Sequence, residues 1–345
     1  MEEKIKILEM LREGKITVED SIKLIEAVEV NEKKVEEPKN KMKFENFSGK
    51  ISDLIEDITE NVSKAVEGVA VSIDLGEFSN REYVDTKQFI FTTNAPEKIE
   101  NLKLRAKNSS IQIEGYHGSV VEIRGNYRPK LGKTVEIKLR DEEKELELEY
   151  DYNAVKYLSI HVKIPNTFIN MIDAFTTNGL ISIEDINAKD IYAKSSNGAI
   201  KSEDVEANMI DLESSNGAIT VEDCKVDKAK LTTSNANIKL DDIFISEVRA
   251  RTSNAKIVAD GIAPIDSEAI LDALTSNASI SIDTDGLCSK KFRASTSHGK
   301  VTCDGVYDYI ENSKSFVEAV SPNYEGAAKK LKMNLSTSNG NIKII

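Results

Sequence analysis

The sequence predicts a mainly β protein in which residues 84–345 form a parallel β-helix, a right-handed β-solenoid with rungs of about 19 residues. Two observations carry that expectation. Thr177-Asn178-Gly179, Ser196-Asn197-Gly198, Ser215-Asn216-Gly217, Ser234-Asn235-Ala236 and Ser253-Asn254-Ala255 place their asparagines 19 residues apart at every step. Between these motifs, apolar residues fall two apart, the period of a strand with one buried face. The motif continues at Asn277, His298 and Asn339, with intervals of 23, 21 and 41 residues. The last interval reads as two rungs with one motif missing, residues 307–328 looping out of the stack.

Within the rung that begins at Thr177, the inward set is Ile181, Ile183, Ile186, Ala188, Ile191 and Ala193. One repeat later it is Ile200, Ser202, Val205, Ala207, Ile210 and Leu212, and then Ile219, Val221, Cys224, Val226, Ala229 and Leu231. Three pairs joined by short corners predict three short strands per rung. Successive rungs stack in parallel about 4.8 Å apart, so nine or ten of them make a rod about 45 Å long. A single rung buries too little to stand alone and needs neighbours above and below. The corner asparagines Asn178, Asn197, Asn216, Asn235, Asn254, Asn277 and Asn339 read as structural. Asparagine tolerates the left-handed backbone of a tight corner, and aligned amides can hydrogen-bond from rung to rung.

Before residue 177 the alternation is degenerate. Residues 108–115 read as one more rung, 135–151 as a hairpin, and Ile160, Val162 and Ile164 as a strand ending at Pro165. Residues 1–30 read as a helical hairpin. Ile5, Leu8 and Leu11 recur at helical spacing, Gly14 stops the first helix, and Thr17 with Asp20 caps a second helix carrying Ile22, Ile25 and Val28. A charged linker, 31–49, follows. Residues 50–70 form an amphipathic helix whose seam is Ile51, Ile55, Ile58, Val62, Ala65 and Val69. Its acidic polar face favours oligomerisation or capping of the solenoid over contact with a membrane.

Composition narrows the function classes. The 345 residues carry a net charge of −13, which argues against nucleic acid and against adsorption of the chain to anionic lipid. Trp is absent and aromatics are 6%, leaving little for sugar or base stacking. Three cysteines, Cys224, Cys288 and Cys303, show no motif spacing and suit a reducing compartment. The N-terminus lacks the pattern of a secretion signal, and no apolar stretch is long enough to span a bilayer. The expected location is cytoplasmic, with a peripheral place at the membrane or cell surface as the alternative.

The search for chemistry yields no catalytic residue and no cofactor site. His117, His161 and His298 lie far apart without metal-ligand neighbours. Cys224 and Cys303 fall on inward positions as small hydrophobes. One polar feature repeats: Glu184-Asp185, Glu203-Asp204, Glu222-Asp223 and Asp241-Asp242 occupy the same corner of four successive rungs. Stacked carboxylates repel, and Ca²⁺ would relieve that repulsion. The competing reading is a solvated corner that keeps the stack soluble.

These rungs, with Ile160-His161-Val162-Lys163-Ile164-Pro165, resemble a bacterial "putative adhesin" β-solenoid family of unknown function. The hairpin is similar to a SHOCT-like module, through Gly14-Lys15-Ile16-Thr17 followed by Glu19-Asp20-Ser21-Ile22. The combination resembles the YvlB/LiaX-like proteins of Gram-positive bacteria. That resemblance implies a role in the cell-envelope stress response beside membrane proteins and two-component signalling, and brings no catalytic residues. The expectation is a non-enzymatic interaction scaffold with protein partners, among them a membrane stress-response protein, and with no nucleic-acid or direct membrane contact. A surface adhesin or a polysaccharide-binding or polysaccharide-acting β-helix is the alternative. Homo-oligomerisation is expected through the 50–70 helix or through an uncapped last rung, since Ile342, Ile344 and Ile345 end the chain within a strand.

Overall fold

The computed structural model describes residues 86–93, 99–142, 144–166, 169–284 and 286–345. The expected helical hairpin, linker and amphipathic helix lie outside the described residues. All described residues belong to Gly68–Ile345, the second of the chain's two units.

Two long sheets face each other, one of 12 strands and one of 14, and the core lies between them. A central rung consists of a four-residue strand in the first sheet and a nine-residue strand in the second, as in Ile181–Glu184 and Asn187–Ser195. The next rung repeats this in Ile200–Glu203 and Glu206–Ser214, paired in parallel with the first. Partners across rungs are 19 residues apart, Ile181 to Ile200 to Ile219 and Ile191 to Ile210 to Ala229. All eighteen inward residues named for these three rungs are buried. Ser202, the polar member of that set, lies 3.7 Å from the Cys224 thiol.

The expected three strands per rung are two. Ala188 and the third inward pair share one strand, with Ile186 just before it, because Ala188 and Ile191 are three apart and the backbone kinks between them without a corner. Ladder pairing steps from Ala188↔Ala207 to Asp190↔Met209 and skips the residue between. The 23-residue interval has its extra residues at this same kink: Ala263–Pro264 pairs with the preceding strand, and pairing resumes at Ile270.

Ten parallel rungs stack, and at both ends chain order departs from spatial order. Near the N-terminal end, the rung made by Asn101–Arg105 and Ile111–Tyr116 sits inside the one made by Glu145–Tyr150 and Val155–Pro165. At the other end, Lys330–Thr337 and Ile342–Ile344 insert between the rungs of Glu268–Leu274 and Ser289–Thr296. The last rung is therefore interior, and the expected uncapped C-terminal edge does not exist. Burial decides this. Leu331, Met333, Ile342 and Ile344 are each 0% exposed, with a parallel strand on either side of each of the two strands that carry them.

The stretch expected to loop out, 307–328, contains an antiparallel hairpin, Asp308–Asn312 with Phe316–Val320, laid against Ser289–Thr296. The 41-residue interval is thus one rung, a capping hairpin and a return into the stack. At the opposite end, Lys87–Thr93 and Val121–Pro129 cap the first sheet in antiparallel fashion. There Ile137–Glu142 caps the second sheet by pairing with Glu145–Tyr150, the hairpin expected at 135–151. Capping elements are what a repeat stack requires at its ends.

Candidate interaction surface

Each rung has two corners. The corner leading from the second sheet to the first carries an unbroken amide ladder. Asn178 Nδ2 donates to Asn108 Oδ1 at 2.5 Å, Asn197 to Asn178 at 2.6 Å and Asn216 to Asn197 at 2.6 Å. Asn235, Asn254 and Asn277 continue it, and Asn339 closes it on Asn277 at 2.8 Å. Asn108 hands the ladder to the Lys156 carbonyl, and His298 takes the next floor beyond Asn339, its amide donating to the Ser338 carbonyl at 2.9 Å.

Beneath this ladder runs a second, buried row that the sequence reading passed over. Thr176, Ser195, Ser214, Thr233, Thr252, Thr275, Thr296 and Thr337 are all buried. Ser214 Oγ donates to the Gly198 carbonyl of the neighbouring rung at 3.0 Å and accepts from its own corner's Gly217 amide at 2.9 Å. One hydroxyl thus satisfies a carbonyl and an amide that would otherwise be buried unpaired. The signal was present: each motif is a doublet of hydroxyl residues before the asparagine or histidine, and the first member is the buried one.

The opposite corner is the acidic one. Asp185, Asp204, Asp223 and Asp242 take φ of 56°, 51°, 52° and 48°, and Gly261 follows at 64°. The left-handed residue of a rung is therefore this aspartate; of the ladder asparagines, Asn108 alone is left-handed. Aspartate tolerates that region better than most side chains. At Gly261 a Cβ would come within 2.1 Å of Asp242 Oδ1, so glycine also makes room there for the neighbouring carboxylate.

The preceding acidic residues end the four-residue strands and are braced by lysines. Lys201 Nζ reaches Glu203 at 2.6 Å and Glu222 at 3.3 Å, and Lys239 reaches Asp241 at 2.6 Å and Glu222 at 3.2 Å. Hydrogen bonds to Glu203 and Asp241 respectively raise the two lysine pKa values. Glu184 accepts from the Ser182 hydroxyl. Of the Ca²⁺ candidates, Glu184, Glu203, Glu222 and Asp241 form one column while Asp185, Asp204, Asp223 and Asp242 form the turn. Among the described residues, no three His, Cys, Asp or Glu side chains are grouped to hold a metal ion.

The second sheet's outer face carries rung-to-rung ion pairs: Lys194 with Glu213 at 2.9 Å, Lys225 with Glu206 at 2.6 Å and Lys230 with Asp211 at 2.8 Å. A shallow groove of about 430 Å³ lies at the kink, lined by Ala188, Glu206, Ala207, Lys225, Asp227 and Ile265. His161 accepts from Arg124 through Nδ1 and faces Glu114 through Nε2 at 3.3 Å; burial, then the Arg124 charge, lowers its pKa. His117 is exposed, and Cys224 is buried with its thiol pKa raised by that burial.

These features define a solenoid-like repeat protein with side-chain columns on its faces and hydrogen-bonded ladders at its corners. The chain belongs to the Toastrack DUF4097 family, whose model matches residues 99–345. A SHOCT-like domain model matches residues 2–33. No curated protein matches the chain. Among solved structures it is similar to a "putative cell adhesion protein" of Clostridium sporogenes, with 14% identity, a TM-score of 0.27, and coverage of 75% of this chain and 98% of that one. It is similar also to a "putative adhesin" of Bacteroides fragilis, with 15% identity, TM-score 0.42 and coverage of 75% and 97%. A third, from Parabacteroides distasonis, shares 9% identity with a TM-score of 0.43 and coverage of 81% and 98%. The adhesion in these names belongs to those proteins. Among the described residues, no helix is long and apolar enough to cross a membrane.

Proposed function

We propose that the chain is a non-enzymatic interaction scaffold of the bacterial cell-envelope stress response. The observation that carries this reading is the register of the stack. Every outward position becomes a column of side chains at rung spacing, as in Lys194 beside Glu213 and Glu206 beside Lys225. Such an array suits recognition over area by a protein partner. Joining of a SHOCT-like segment and a Toastrack segment in one chain supports the envelope setting, because that pairing is what the resemblance implies. In this reading the N-terminal segment and the stack are separate surfaces, and the bound partner is a membrane protein of the stress response.

The test is capture from detergent-solubilised membranes of stressed cells, using the full chain and residues 71–345. A membrane protein retained by the full chain and lost with residues 1–70 supports the reading. Turnover of neutral or anionic glycans by the purified chain overturns it, as does finding the protein exported to the outer side of the membrane on cell fractionation.

A further inference from the structure

The connection from the strand Val121–Pro129 to Ile137–Glu142 crosses between the sheets at the N-terminal end of the stack, and its tip differs from the rest of the surface. Leu131 is 104% exposed, the most exposed large apolar side chain among the described residues. The tip is nonetheless held. The Lys133 amide donates to the Lys130 carbonyl at 3.0 Å, and Gly132 takes a φ of 72°. That closing bond, with a positive φ at the third residue, is the pattern of a type II turn, which presents its second residue outward. The Lys130 amide is tied to the Ala154 carbonyl at 2.7 Å, and buried Val135 anchors the loop behind the turn.

The leucine lies between two cations. Lys130 and Lys133 flank it, and among the described residues neither ammonium is held in an ion pair. In a chain of net charge −13 this is a local reversal of sign. A projecting apolar side chain between two cations matches a bilayer interface. Ammonium groups meet headgroup phosphates and the leucine enters the acyl boundary. A flat acidic protein surface would answer the cations and leave Leu131 without an apolar seat.

We propose that the 130–133 turn is a docking tip for anionic phospholipid, with Leu131 as the inserted residue and Lys130 and Lys133 as the headgroup contacts. The acidic columns elsewhere are repelled by the same surface, which restricts contact to this end. The proposal goes beyond the scaffold reading and does not depend on it.

Co-sedimentation of the full chain with vesicles tests it. Vesicles of phosphatidylglycerol and phosphatidylcholine in equal parts should retain the protein, less so as salt rises, and pure phosphatidylcholine should not. Each ammonium near an anionic surface raises affinity roughly fivefold, so Lys130→Gln with Lys133→Gln should lower partitioning by on the order of tenfold or more. Leu131→Asp should abolish it. Because the chain has no Trp, Leu131→Trp supplies a single reporter whose emission should shift to the blue on anionic vesicles only. The turn is exposed, so all variants should keep the parent's circular dichroism. Failure of the full chain to sediment overturns the proposal, as does unchanged binding by the glutamine pair or an unshifted reporter on sedimented protein.

Discussion

Between residues 181 and 260 the strands follow one another in space as they do along the chain, whereas at the C-terminal end the chain lays down an outer rung and then doubles back inside it, and at the N-terminal end it lays down an inner rung first and adds the outer one afterwards. The difference follows from what each floor must bury. A central rung has an equivalent rung on either side, so adding the next one completes it. An outer rung has a neighbour on one side only, and antiparallel strands such as Asp308–Asn312 and Phe316–Val320 cover the other. Regularity in the middle makes rungs interchangeable; the ends are individual pieces that must be placed once and capped.

The largest effect expected from that contrast is on deletion. Removing residues 330–345 takes out an interior rung with Leu331, Met333, Leu335, Ile342 and Ile344, each at most 2% exposed. At about 2 kcal/mol per buried side chain the loss is roughly 10 kcal/mol, comparable with the whole stability of a domain. Cooperative thermal unfolding followed by circular dichroism should vanish. Deleting residues 197–215, one full 19-residue period, should leave a folded, shorter stack. If both deletions behave alike, the distinction between centre and end is lost.

Point substitutions sharpen the same comparison. Leu212→Ala and Leu335→Ala should each cost about 2–5 kcal/mol in urea denaturation, and by similar amounts, because both residues are buried within the stack. A much smaller cost at Leu335 would mean that the last rung frays as a terminal one. Ser214→Ala leaves the Gly198 carbonyl and the Gly217 amide unpaired and should cost about 1–3 kcal/mol. Ser214→Thr should be tolerated, since Thr233 fills the same place one rung on with a 3.1 Å bond to Gly217.

The smallest effects belong to the exposed corners. Asn216→Ala interrupts the amide ladder on both sides and should cost about 1 kcal/mol. Asp204→Gly should fall within about 1 kcal/mol of the parent, since Gly261 holds the same left-handed position, while Asp204→Val should lose about 1–2 kcal/mol. Equal stability of the glycine and valine variants would remove the conformational reason for the aspartate row.

Particular residues show why some of this was legible beforehand. Ile181, Ile183, Ile200 and Ile219 announced their burial because strand periodicity and the 19-residue period act together, and each inward choice is repeated by its neighbours. The hairpin at 135–151 and the strand ending at Pro165 were legible for local reasons, alternation and a missing amide donor. Thr176 and Ser214 are not legible in this way, because a hydroxyl at the end of a strand reads as solvent-facing until its partner on the neighbouring rung is in place. The aspartates show their charge in the sequence, while the left-handed backbone that accounts for their recurrence appears only in the fold.

What the amino-acid sequence determined alone was the repeat: its length, its inward set and the stacking of its corner asparagines, because each depends on contacts between equivalent residues one period apart. Tertiary structure decided that a rung has two strands and a kink, and that the last rung lies inside the stack. Those outcomes depend on which floor ends up beside which, and that order is set by burial summed over the whole assembly of rungs.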